Sequence, residues 1–144
     1  MRSGFETVLS ARYVRRAREA QVQKPPMISI VDDDGTVREG LMDLIKSMRF
    51  EAESYSSASD FLKSPDRRIT SCLIADVQMP EMTGLELHDC LVKLGDIIPA
   101  ILVTAFPNDR DRKWAARSGV IRYLAKPFND DDLFARIRSV LESR

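Results

Sequence analysis

Four short stretches hold residues that packing alone does not explain. Asp32-Asp33-Asp34 follows the β-rich run Ile28-Ser29-Ile30-Val31, and Asp76 follows the apolar run 72–75. Thr104 follows 100–103, and Lys126 follows Ile121–Ala125. Carboxylates, a hydroxyl and an ammonium thus close four separate apolar runs. Carboxylates brought to one edge repel one another and raise each other's pKa values. A hard divalent cation relieves that repulsion. Mg²⁺ prefers oxygen ligands, accepts one or two carboxylates and keeps waters that a phosphate oxygen can replace. A lysine and a threonine facing such an ion suit a phosphoryl group, because point charge, hydroxyl donor and metal divide its oxygens between them. The backbone N–H of Ala105 adds a further donor. Taken singly, each residue has a plainer reading, since an aspartate run is commonly a solvated loop or a helix cap. His88, the one histidine, reads as a surface or partly buried residue, and Trp114 as packing.

The elements that must position these residues alternate. Runs at 28–31, 50–55, 72–75, 100–103 and 121–125 read as strands, with 50–55 alternating like an edge strand. Between them the spacing predicts helices. Thr36 and Glu39 form a capping box ahead of Val37, Leu41, Leu44, Ile45 and Met48, a core-facing stripe. Residues 57–63, 84–94 and 108–118 are helical, the last stopped by Gly119. Asn129 or Asp130 caps a final helix with Leu133, Phe134, Ile137, Val140 and Leu141 inward. Strands alternating with helices imply a parallel, doubly wound α/β sheet. The ligand site of such a fold lies beyond the carboxyl ends of the strands.

At 144 residues the chain suits one domain with a sufficient core. Formal net charge is zero, but residues 1–24 carry net +4 and the remainder net −4. That balance gives no general pull toward nucleic acid or an anionic membrane. Pro25-Pro26 separates an N-terminal arm and linker, 1–26, from a domain at 27–144. Within the arm, Phe5, Val8, Leu9, Tyr13, Ala17 and Ala20 share one face, with Ser3 and Glu6 at capping-box spacing, so a helix is expected over about 4–20. Cys72 and Cys90 are neither a disulfide framework nor a zinc motif and read as free thiols. No apolar run is long enough to span a bilayer, no secretory signal is apparent, and a cytoplasmic location is expected.

The four stretches in order are Val31-Asp32-Asp33-Asp34, Asp76-Val77-Gln78-Met79-Pro80-Glu81-Met82-Thr83-Gly84, Val103-Thr104-Ala105 and Lys126-Pro127-Phe128. Together they resemble the response-regulator receiver domain of bacterial two-component signalling, over residues 27 to about 143. The resemblance implies a flavodoxin-like five-stranded sheet of order 2-1-3-4-5, here with an extra N-terminal helical arm. It implies Asp76 as phosphoacceptor. It further implies Mg²⁺ held by Asp33 directly, by Asp32 largely through water, and by Asp76 and the main-chain carbonyl of Gln78. Thr104, Ala105 (through its amide) and Lys126 take the phosphate contacts, and Thr104 and Tyr123 form the switch. The Lys126-Pro127 bond is commonly cis in this family. The partners implied are a sensor histidine kinase or phosphotransfer protein and a downstream protein target. A homodimer is one assembly to consider; nucleic acid binding through this chain and membrane insertion are not expected. Such a domain signals and is not a conventional enzyme.

Gln78 departs from the family's frequent Asn or Arg, and Phe106-Pro107 is bulky where small or polar residues are common. Both positions bear on the lifetime of the phosphoryl group. The stretch 104–107 looks like that of stand-alone receivers, so a single-domain receiver is expected. The runner-up is the receiver half of a transcription factor without its DNA-binding domain. A remote alternative comes from Asp32-Asp33-Asp34-Gly35-Thr36, which spells the DxDGT pattern of haloacid-dehalogenase-type phosphatases, with Asp32 as nucleophile. That reading leaves the stretch from Asp76 to Gly84 and Lys126-Pro127-Phe128 unexplained.

Overall fold

The structure is a computed structural model and describes residues 24–118 and 121–142. The expected arm helix and the stop at Gly119 lie outside the described residues. Five strands alternate with helices: β1 Met27–Val31, α1 Gly35–Ser47, β2 Glu51–Tyr55, α2 Ala58–Lys63, β3 Thr70–Asp76, α3 Gly84–Lys93, β4 Ala100–Thr104, α4 Asp109–Ser118, β5 Ile121–Ala125 and α5 Asp130–Glu142. The strands form one sheet in the order β2-β1-β3-β4-β5, and every pairing is parallel. This is the doubly wound, flavodoxin-like arrangement expected, with β2 at an edge. A 3₁₀ turn at Pro65–Ile69, which the sequence pattern did not reveal, leads into β3.

The near-continuous apolar strands are explained by burial on both faces. Side chains alternate along a strand, so each strand feeds two cores. Val31, Leu73, Ala75, Ala100 and Leu102 pack with Phe61, Leu87, Leu91 and Ala115, under α2, α3 and α4. Ile28, Ile30, Cys72, Ile74, Ile101 and Val103 pack with Leu41, Ile45, Leu133, Ile137 and Val140, under α1 and α5. Fully burying one such Leu or Ile contributes about 1.5–3 kcal/mol. One polar pair interrupts the apolar layers: the buried Ser29 and Thr70 hydroxyls meet at 2.7 Å.

Helix starts are set by caps. The expected capping box at Thr36 does not form. Asp34 is the N-cap instead, its Oδ1 accepting from the amides of Thr36 at 2.9 Å and Val37 at 3.3 Å. The helix therefore opens at Gly35, because the aspartate offers an oxygen to the free amides first. The box forms at Thr83 and Glu86, where each side chain accepts from the other's backbone amide. Ser57 caps α2, and Asn129 accepts from the amide of Asp132 at the start of α5. Among the described residues, no helix is long and apolar enough to cross a membrane.

The reading of His88 as surface or partly buried is corrected by the fold. On α3 it falls in the same stripe as Gly84, Leu87 and Leu91, is 3% exposed and meets the Trp114 ring edge-on at 6.2 Å. Burial lowers its pKa, with Asp89 opposing in part. Between its lowered folded value and the ordinary value near 6.5, the unfolded chain binds the extra proton. Stability is thus intact above about pH 6.5 and falls as pH drops toward the folded pKa. The fall in melting temperature from pH 7.5 to 5.5 should be smaller in His88→Gln than in the unaltered protein, as measured by circular dichroism. Equal falls would remove His88 as the cause.

Candidate functional site

Strand order decides which tips meet. β1 and β4 flank β3, and β5 flanks β4, so Asp32, Asp76, Thr104 and Lys126 arrive from four strands at one sheet edge. Val31 is level with Ala75, Asp76 with Val103, and Thr104 with Ala125. The amide of Val77 donates to Val103 at 2.9 Å, and that of Lys126 to Thr104 at 2.7 Å, carrying the pairing to the last residues.

The aspartate run divides its labour. Asp32 is buried; its Oδ1 accepts from the amide of Asp34 at 2.9 Å, and its carbonyl accepts from the Arg38 guanidinium at 2.7 Å. Asp33 is exposed, and Asp34 is spent on the α1 cap. Oxygens of Asp32, Asp33 and Asp76 all lie within 4.8 Å of one another. The Lys126 ammonium stands 3.5 Å from Asp32 and 3.7 Å from Asp76. Both distances exceed the 2.7–2.9 Å typical of a charge-assisted hydrogen bond, so Lys126 is shared by the two carboxylates and committed to neither.

Asp76 has a raised pKa. The largest cause is burial; Lys126 opposes it, Asp32 raises it further, the Gln78 amide lowers it and Asp33 adds a little. Desolvation thus outweighs repulsion between the carboxylates in raising it. Three carboxylates around one point, with one ammonium at the side, form an oxygen-only donor set suited to a hard divalent cation. Asp32, Asp33 and Asp76 therefore fit Mg²⁺.

Thr104 is fully buried. Its hydroxyl donates to Oε1 of Gln78 at 2.7 Å and accepts from the amide of Phe106 at 3.0 Å. Ala105 and Phe106 are exposed, Phe106 71% so. Tyr123 is half-buried against the α2–α4 side of the core. Its hydroxyl accepts from the amide of Asn108 at 3.4 Å, and the Arg112 guanidinium lies 5.3 Å from its ring centre. The Lys126-Pro127 bond is cis, as the resemblance implied.

Two contributors escaped the sequence reading, Arg38 and the amide of Asn108. Nothing in the sequence marks them, because each meets its partner only once the chain has folded back. Gly84 closes the stretch that begins at Asp76, and the structure adds its packing role. A Cβ there would lie 2.6 Å from the carbonyl oxygen of Asp76 and 3.2 Å from Leu102. The start of α3 is therefore pressed against the backbone of Asp76 itself.

Comparison with known proteins identifies the family of the fold. A family model of the response regulator receiver domain matches residues 28–138. Response regulator protein TodT of Pseudomonas putida is 38% identical over 116 residues, covering 81% of this chain and 51% of TodT. Response regulator protein TmoT of Ectopseudomonas mendocina is 36% identical over 125 residues, 87% of this chain and 57% of TmoT. The chain spans about half the length of these curated relatives. The crystal structure of a response regulator receiver protein from Burkholderia phymatum superposes with a TM-score of 0.70 at 35% identity, over 81% of this chain and 95% of that one.

Gly84→Ala should cost about 1–3 kcal/mol, the usual range for forcing a methyl into packed backbone. Urea unfolding measures it. A loss below about 0.5 kcal/mol would mean that α3 shifts freely away from Asp76.

Proposed function

The chain belongs to the response-regulator receiver family, and on that premise we propose that Asp76 accepts a phosphoryl group from a phosphohistidine on a sensor kinase or phosphotransfer protein. The observation that supports this most is the Lys126 ammonium between Asp32 and Asp76 at 3.5 and 3.7 Å. A cation shared in this way is free to turn toward an incoming phosphoryl oxygen. In the transfer, a P–N bond of the donor is exchanged for a P–O bond on Asp76. The Asp76 side chain is 11% exposed, so its attack takes place largely out of water. Asp32, Asp33 and Asp76, with the main-chain carbonyl of Gln78, would hold Mg²⁺, which when bound offsets negative charge on the carboxylates and the phosphoryl group. Lys126 and the amide of Ala105 take the remaining phosphoryl oxygens.

The output runs through residues 104–108. The amide of Phe106 is bound to the Thr104 hydroxyl, and the amide of Asn108 to the Tyr123 hydroxyl. A Thr104 side chain drawn toward the phosphoryl group therefore pulls on the segment that holds Tyr123. The face built by α4, β5 and α5 then changes its affinity for a downstream protein by differential binding. The work of the domain lies in the cytoplasm, in signalling and not in turnover of a substrate. The phosphatase alternative has no role for Lys126 in contact with Asp76, nor for the family match across 28–138.

Two measurements test this. Incubation with acetyl phosphate and Mg²⁺ should phosphorylate the protein, and Asp76→Asn should abolish incorporation, because an amide cannot form the acyl phosphate. Uptake that survives Asp76→Asn but not Asp32→Asn would favour the phosphatase reading. Loss of the phosphoryl group needs a water opposite the leaving carboxylate, and exposed, apolar Phe106 offers nothing to orient one. Phe106→Glu should therefore speed decay of the phosphorylated protein several-fold; a tenfold gain needs only about 1.4 kcal/mol. Equal or slower decay would reject that role for Phe106.

A further inference from the structure

Thr104 is the group that the switch has to move, and its hydrogen bonds are already made. A threonine hydroxyl has one proton to give. Here that proton is given to Oε1 of Gln78 at 2.7 Å, while the oxygen takes the amide of Phe106 at 3.0 Å. A phosphoryl oxygen on Asp76 only accepts. Thr104 can satisfy the Gln78 amide or the phosphoryl group, but not both with one proton.

The two sides of this exchange are unequal. Gln78 is exposed, so water replaces Thr104 when the bond breaks. Thr104 is 0% exposed, so a hydroxyl without an acceptor there carries the full penalty of a buried unsatisfied group. Of the two bonds that hold Thr104, the one to Gln78 is the one that uses its proton, and the phosphoryl group is the acceptor that replaces Gln78. Gln78 is also tied to the acceptor residue, since its backbone amide donates to Asp76 Oδ1 at 3.3 Å. One residue thus touches both the site of modification and the hydroxyl that reads it.

Resting on the phosphoacceptor reading above, we propose that Gln78 is a positioning residue: its side-chain oxygen competes with the phosphoryl group on Asp76 for the single proton of Thr104, and so sets how readily the domain switches. The competition predicts opposite signs for two substitutions. Gln78→Leu removes the competing acceptor and leaves the buried hydroxyl in want of one, which favours the switched state. Gln78→Glu supplies a charged, stronger acceptor and holds Thr104 back. Both keep the Gln78 backbone, and with it the amide to Asp76 and the carbonyl offered to Mg²⁺.

The test uses beryllium fluoride with Mg²⁺ as the phosphoryl mimic. Binding is followed by fluorescence of Trp114, the one tryptophan in the chain, on α4. Gln78→Leu should lower the half-saturating concentration about three- to tenfold, the scale of one hydrogen bond; Gln78→Glu should raise it. In a Thr104→Val background the gain from Gln78→Leu should shrink to less than about twofold, as a double-mutant cycle requires of coupled groups. A second readout needs no phosphoryl mimic. In the unmodified protein, the NMR amide signal of Phe106 should move on Gln78→Leu, and that displacement should vanish in the Thr104→Val background. No change or a rise in half-saturation with Gln78→Leu, or the same gain in Thr104→Val, would overturn the proposal. So would a Phe106 signal that ignores Gln78. Failure of the unaltered protein to bind the mimic would instead reject the phosphoacceptor reading, and the Phe106 signal would still judge the hydrogen bond.

Discussion

Two carboxylates side by side at the tips of neighbouring strands need a cation, and among the described residues Lys126 is the one that pairs with both. It reaches Asp32 and Asp76 across the tips of three strands, at 3.5 and 3.7 Å. The arrangement is not a source of stability in itself, since desolvating such charges offsets much of their attraction. Its consequence is chemical. The ammonium is held loosely enough to be shared, and the Asp76 carboxyl is kept out of water enough to have its pKa raised. Everything else in the site either places these three groups or responds to them.

Placement comes from the two cores. α1 and α5 cover one face and α2, α3 and α4 the other, so the strand tips are free only at their ends. Gly84 shows how tight the fit is, with no room for a methyl between α3 and the carbonyl of Asp76. A fold packed this closely has few soft directions. The segment 104–108 is one of them: it is exposed from Ala105 onward, with the Phe106 amide bound to Thr104 and the Asn108 amide to Tyr123. A displacement of Thr104 can therefore reach Tyr123 without disturbing either core.

Much of this was legible in the residues. The alternation of apolar runs with amphipathic stretches predicts five parallel strands and the two-sided burial, because hydrophobic periodicity is a local property that each segment carries with it. The polar residues ending those runs mark the site, since strand ends in such folds point the same way. Asp32, Asp33, Asp76, Thr104 and Lys126 needed no coordinates to be named. Caps were less secure. Thr36 with Glu39 matched the box, but Asp34 took the helix start, and only backbone geometry chooses between two competent caps. His88 misled for a related reason: a lone histidine says nothing of its surroundings until Trp114 is brought beside it from another helix.

By itself, then, the sequence determined the order of elements, the faces they bury and the residue types at the strand tips, because these follow from periods of two and of 3.6 residues and from short-range turns. Tertiary structure decided what depends on distance between segments far apart in the chain. It set Lys126 between two carboxylates rather than beside one, made burial the main influence on Asp76, and left no space at Gly84. It also gave the Thr104 proton to Gln78, 26 positions away. The physical reason is that desolvation and hydrogen-bond choice depend on which groups surround an atom in space, and a linear pattern lists neighbours only along the chain.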